Sequence, residues 1–276
     1  MKWLCYSFLS LCLFHGVFPS FLSAQNANCS IKRAREAIRI ENYSAALDML
    51  RECEQSPEVS AVRGSAYYNL YMADSAISAF SVAVDGGLSN DDILVKIGQA
   101  FLWKKNFVDA DKYLRQVKDK TRLDYRIAIA DRLEMMGKLN ESMKILDSIL
   151  KEKPDHFSTM LKKAAVLSWT RKFTQAITLY TQIIENRKAP KSTRIQAKTD
   201  RAEVLSWQKK FKEALSELDQ VIEMDETDTD ARLLQAQIHE WQGHYKTAKN
   251  IYKDILLIEP ENKQAQIRLE KLLWVK

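Results

Sequence analysis

Apolar positions in this chain recur on two scales. Over short runs they return every three to four residues, the period of a helix that buries one face. The runs come in pairs, and the pairs repeat. The stretch Ala202-Glu203-Val204-Leu205-Ser206-Trp207-Gln208-Lys209-Lys210-Phe211-Lys212-Glu213-Ala214-Leu215 holds the unit: a small residue, large apolar residues, a Trp, a short basic turn, an aromatic and a second small residue. The residues that follow the turns are Tyr43, Ala73, Phe107, Leu139, Phe173, Phe211 and Tyr245, at spacings of 30, 34, 32, 34, 38 and 34. The pattern predicts about seven antiparallel helical hairpins.

Small residues fix how those helices cross. Three positions after each marker stand Ala46, Ala76, Ala110, Ser142, Ala176, Ala214 and Ala248; nine before it stand Ala34, Gly64, Gly98, Ala130, Ala164, Ala202 and Ala236. Ala, Gly and Ser make up only about a fifth of the chain, so small residues in all these slots are not a product of composition. Two helices joined by a short turn approach closely only where neither carries a bulky side chain. Larger residues fill the next shell: Tyr67, Phe101, Leu133, Leu167 and Leu205 on first helices, and Phe80, Leu114, Leu146, Tyr180, Leu218 and Tyr252 on second helices.

The small pair, the aromatic after the turn and a closing Pro at Pro154 and Pro260 resemble the tetratricopeptide repeat, over about residues 28–274. The resemblance implies an all-α solenoid with repeats near 27–56, 57–90, 91–122, 123–156, 157–194, 195–228 and 229–262, and a capping helix in 263–276. Individual repeats depart from the pattern at Arg39, at Met135 and Leu139, and at Glu226. The cap, with Leu269, Leu272, Leu273 and Trp274, is apolar for a solvated end. The insertion at 186–193, with Lys188, Pro190 and Lys191, is the expected joint in an otherwise single array.

Composition narrows the class without changing it. The chain has 276 residues, 46% hydrophobic and 28% charged, with seven Gly and five Pro. Scarce turn residues favour long helices over sheet. Residues 1–24 read as a secretory signal: Lys2, an apolar run from Trp3 to Phe14, breaks at His15, Gly16 and Pro19, and a small residue at Ala24. The alternative is an uncleaved membrane anchor. A periplasmic or secreted location follows from the first reading, with no integral membrane segment once the signal is removed.

Processing would leave two of the four Cys, Cys29 and Cys53. If one opens a helix and the other closes the helix that follows, they meet at one end of a hairpin. In an oxidising compartment a disulfide there closes a loop of about 25 residues and stabilises by roughly 3 kcal/mol on the chain-entropy account. Two buried thiols are the alternative, and intact mass before and after reduction and alkylation separates the two.

Trp103, Trp169, Trp207 and Trp241 each lie four residues before a post-turn aromatic. The resemblance implies that this slot faces a concave groove, together with Tyr68, Asp131, Glu134, Lys162, Glu203, Gln237 and Glu240. Exposed Trp is enriched at binding hot spots. The competing reading is that each Trp packs on its own aromatic at i+4 and seals the hairpin corner. Charge sorts by edge: the turns inside hairpins are basic (Lys104-Lys105, Lys138, Arg171-Lys172, Lys209-Lys210), and the connections between hairpins are acidic (Asp91-Asp92, Asp155, Asp225-Glu226, Asp228, Glu259, Glu261).

A net charge of +6 with no Arg-rich strip gives no footprint for nucleic acid. His239 and His244 are five apart with Gly243 between them, whereas a zinc-binding helix needs i and i+4. No phosphate loop, nucleophile elbow or Cys with an evident base appears, so neither an enzyme nor a cofactor or metal is expected. The expected function is a non-enzymatic protein-interaction scaffold of the bacterial envelope, holding a partner segment in the groove. The run Leu205-Ser206-Trp207-Gln208, with Phe211, is also similar to exported repeat regions that precede outer-membrane β-barrels involved in polysaccharide export. No alternating strands follow to Lys276, so that resemblance leaves a glycan-contacting or export-accessory role as the alternative.

Overall fold

The computed structural model describes residues 29–274, and among them there are helices and turns but no strand. The leader and its Cys5 and Cys12 lie outside the described residues. No helix among those described is long and apolar enough to cross a membrane.

The chain forms two compact units that divide between Val117 and Lys118. The first unit holds α1 (Ile31–Arg39), α2 (Tyr43–Leu50), α3 (Pro57–Asn69), α4 (Ala73–Asp85), α5 (Asp91–Trp103) and α6 (Phe107–Leu114). The second holds α7 (Leu123–Met135), α8 (Leu139–Glu152), α9 (Phe157–Trp169), α10 (Phe173–Glu185), α11 (Lys191–Trp207), α12 (Phe211–Met224), α13 (Thr229–Trp241), α14 (Tyr245–Ile258) and α15 (Lys263–Leu273). The segment expected to flex is instead built into a core. Ala189 is buried with Ala197 and Ile183, and Lys191 already begins α11, a turn earlier than the repeat boundary at 195 implied.

The crossings stand where the small residues predict. Ala34 with Ala46, Ala202 with Ala214 and Ala236 with Ala248 are fully buried, and Gly64 and Gly98 occupy the first-helix slot where the facing residue is large. A Cβ on Gly64 would meet the Phe80 ring at 2.6 Å, and one on Gly98 would meet Leu114 Cγ at 2.7 Å. Neither side chain can retreat without opening a void, so glycine is required at both.

All seven hairpin turns share one backbone solution. A residue in the left-handed region, Glu41, Tyr71, Lys105, Gly137, Arg171, Lys209 or Gly243, ends each first helix. The following N–H reaches back to a carbonyl five residues earlier, as in Lys172 to Leu167 at 2.8 Å and Lys210 to Leu205 at 3.0 Å. This closure satisfies the orphan carbonyls of the last turn. Only two of the seven residues are glycine; each of the other five carries backbone strain of about 1–2 kcal/mol.

In the first unit, Cys29 and Cys53 are joined by a disulfide that ties the start of α1 to the end of α2, with Cα atoms 4.9 Å apart. In the second, α15 closes the last core: Leu272 is buried against a cluster containing Tyr252 and Ala236, while Ile267 and Trp274 remain exposed.

Candidate binding edge at the hairpin turns

Trp103, Trp169, Trp207 and Trp241 are the last residues of α5, α9, α11 and α13, which puts all four at hairpin turns. Their partners differ from the i+4 expectation. Trp207 meets Phe173 at 6.2 Å between centroids and Trp241 meets Phe211 at 6.5 Å, in each case the post-turn aromatic of the preceding hairpin. The cause is direction: helical side chains lean toward the helix N-terminus, away from residues later in the chain. Trp169 has Leu139 in the corresponding place and therefore no such ring beneath it. It is 56% exposed, against 39% for Trp207 and 48% for Trp241.

Trp103, in the first unit, is half-buried. Tyr68 stacks on it at 4.8 Å and Tyr71 lies against it at 5.2 Å. The Tyr68 hydroxyl donates to Gln99 Oε1 at 2.6 Å, so Tyr68 is held inside the fold.

Between Trp169 and Trp207 the second unit has an open recess of about 390 Å³, lined by Ser168, Trp169, Arg171, Phe173 and Trp207. Arg171 lines it, Lys172, Lys209 and Lys210 belong to the same two turns, and none of the four has an ion-pair or hydrogen-bond partner for its side chain among the described residues. Some other cations of the unit are committed: Lys162 to Asp131 at 2.5 Å, Lys163 to Asp147 at 2.7 Å, Arg126 to Glu152 at 2.7 Å and Arg201 to Glu217 at 2.5 Å. Several acids of the connections between hairpins are committed too. Asp228 caps α13 through Ala231 N–H at 2.8 Å, Asp225 accepts from Thr227, and Asp155 pairs with Lys188 at 3.1 Å.

The carboxylates expected in the groove divide. Glu240 accepts from the Tyr252 hydroxyl and lies 3.4 Å from Arg268, so it is spent on holding α14 and α15 to α13. Glu134 accepts from Ser142 at 2.8 Å. Burial raises its carboxyl above the usual range despite that bond and the nearby Lys162. Glu203 is open at its surface, yet the neighbouring helices enclose it enough to raise its carboxyl as well. Asp200, not singled out by sequence, lies one turn before Glu203 on α11. Burial pushes it up to about 6, against the hydrogen bond Gln196 donates at 2.7 Å, and the Glu203 charge adds to the rise.

His239 and His244 face each other across a hairpin turn with centroids 5.8 Å apart. No group of three or more His, Cys, Asp or Glu among the described residues is arranged to hold a metal ion.

Residues 208–273 match the tetratricopeptide repeat family. In structure, the chain is similar to a chain of the APC/C hetero-tetramer Cut9–Hcn1, with a TM-score of 0.60 and 12% identity over 88% of this chain and 47% of that one. The fold is a tetratricopeptide-repeat solenoid. At that identity the likeness is one of fold, and the chain spans under half the length of its Cut9–Hcn1 counterpart. It is also similar to the C-terminal part of a TPR repeat-containing protein from Cytophaga hutchinsonii, at TM-score 0.46 and 17% identity, over 87% of this chain and 99% of that one. No curated protein matches the sequence. Tetratricopeptide-repeat arrays generally present binding surfaces for other proteins rather than reaction centres.

Proposed function

We propose that this tetratricopeptide-repeat protein is a non-enzymatic scaffold of the bacterial envelope that holds a segment of a partner protein. The observation that carries the reading is the row of exposed Trp169, Trp207 and Trp241 at equivalent turns of one unit, beside cations with no ion-pair partner among the described residues. Large aromatic faces next to unpaired Arg and Lys are the composition of an interaction hot spot. Export is supported by the leader-like residues 1–24 and by the bonded Cys29 and Cys53, a pairing suited to an oxidising compartment.

A photoreactive phenylalanine in place of Trp241, activated in intact cells, tests the reading. A discrete adduct with an envelope protein is expected. Adducts no more specific than those from an exposed α8 position such as Lys144 would remove it. A second reading, contact with an envelope glycan, is favoured by the exposed indole of Trp169, since indole faces stack on sugar rings. Intrinsic fluorescence during titration with cell-wall or exopolysaccharide fragments tests that reading, and an unchanged signal at millimolar sugar excludes it.

A further inference from the structure

The recess between Trp169 and Trp207 is chemically one-sided. Its walls are two indoles and the Phe173 ring, its one charged lining residue is Arg171, and its one hydroxyl, on Ser168, is committed to the Ala164 carbonyl at 2.9 Å. No amide or carboxylate side chain lines it. A sugar entering here would need such acceptors for its hydroxyls beside the donors that Arg171 supplies. An apolar side chain would not. The ring planes of Phe173 and Trp207 stand at 54°, which makes a wedge for a side chain rather than a flat platform for a chain of sugar rings.

The cations of the two turns stand there against local preference. Arg171 and Lys209 occupy the left-handed turn position, at φ of 59° and 62°, where glycine carries no strain. Lys172 and Lys210 occupy the N-cap positions of α10 and α12 and make no side-chain cap, where Ser, Asp or Asn would be more stable and where the helix dipole disfavours a cation. At these two turns all four departures from local rule add positive charge, at a cost in stability.

We infer that this recess docks an acidic segment of a protein partner: one apolar or aromatic side chain enters between Trp169 and Trp207, and flanking carboxylates meet Arg171 and Lys172 on one side and Lys209 and Lys210 on the other. The inference rests on the protein-scaffold reading and specifies the partner's chemistry.

The test uses the purified chain and fluorescein-labelled twelve-residue peptides read by anisotropy. One peptide carries a central Phe flanked by Asp and Glu, a second has Ala for the Phe, and a third has Lys for every acid. Hexagalacturonate competes as a polyanion without an apolar side chain. The acidic Phe peptide is expected to bind, weakening as salt rises, and to lose about tenfold in affinity in the Arg171→Gly/Lys209→Gly variant, since two ion pairs are removed. That variant relieves turn strain, so its thermal midpoint should hold or rise, and the loss is not one of folding. Equal binding of the Ala or Lys peptide, equal competition by hexagalacturonate, or an unaffected double variant would each overturn the inference. If the double variant still yields the discrete adduct through Trp241 in cells, the acidic-segment inference falls and the scaffold reading stands; if the parent chain yields none, the scaffold reading itself falls.

Discussion

The hairpin turns of the first unit and those of the second share a backbone and differ in how it is finished. In the first, Asn42 and Asn106 cap α2 and α6 through Ala45 and Asp109 N–H, and Lys104 is paired with Asp74 from the preceding hairpin. Trp103 is enclosed by two tyrosines. Lys105 has no side-chain partner among the described residues. In the second, Lys138, Lys172, Lys210 and His244 take the cap position of α8, α10, α12 and α14, and none makes a side-chain cap. The place of Asp74 is filled by Asn140, Thr174, Lys212 and Lys246, so no acid stands there to neutralise the next turn. The first unit's turns hold their Trp and pair Lys104 yet still expose Ile40, Tyr71 and Met72, whereas the second's expose their Trp beside Arg171, Lys172, Lys209 and Lys210. A repeat fold separates these roles easily, because turn residues outside the small-pair crossings are free to vary.

Cutting back the tryptophans breaks the comparison most sharply. Trp103→Ala should cost about 2–3 kcal/mol, because it empties a half-buried stack and removes the indole on which Tyr68 and Tyr71 pack. Trp169→Ala removes a ring with no aromatic beneath it and should cost under about 1 kcal/mol. Chemical denaturation of the two variants reads both values. Equal losses would mean that the second unit's edge is as structural as the first's.

Exchanging the caps sharpens the contrast at smaller scale. Asn106→Lys should destabilise by about 1 kcal/mol, since the α6 N-terminus loses its side-chain acceptor and gains an unfavourable charge. Lys210→Asn should stabilise by a similar amount, a rise of about 2–4 °C in the unfolding midpoint for a unit of this size. A fall on Lys210→Asn would show that Lys210 makes a stabilising contact that outweighs the cap.

These turns also mark where sequence is informative. The crossings are legible because a pair like Ala202 and Ala214 answers to a steric rule that admits few residue types. The ring partner of Trp207 is not, because Phe173 lies 34 positions earlier and sequence offers the nearer Phe211 first. The entry into α11 is hidden for a different reason. Lys188, Pro190 and Lys191 read as a loop, yet Pro190 supplies a φ suited to helix entry, and the apolar Ala189 and Ala197 fold the segment into the core. The division after Val117 follows an α6 that stops at Leu114, eight residues long where α8, α10, α12 and α14 run to 13 or 14. Nothing local to the sequence announces that stop. Within the candidate site the Trp were legible as a row, whereas the unpaired state of Arg171 and Lys209 depended on which acids the fold spends elsewhere.

The smallest effect separates the open edge from the enclosed carboxylates on the same helix. Asp200 titrates at about 6 in the fold and near 3.8 when unfolded, so between those values the folded state holds a proton that the unfolded chain has lost. Stability contributed by this group therefore falls as pH rises through 6 and is regained on acidification. By linkage, taking the pH from 7.5 to 6 should recover roughly 0.4 kcal/mol. His156 and His239 work in the other direction: burial lowers both, so the unfolded chain takes up their protons first and the fold loses stability as pH drops through 6.5. The wild-type curve alone mixes the two effects. Asp200→Asn keeps an acceptor for Gln196 and removes the charge, so its stability advantage over wild type should be largest at pH 7.5 and shrink toward pH 6. An advantage that stays constant across that range would mean Asp200 is hydrated in the native state.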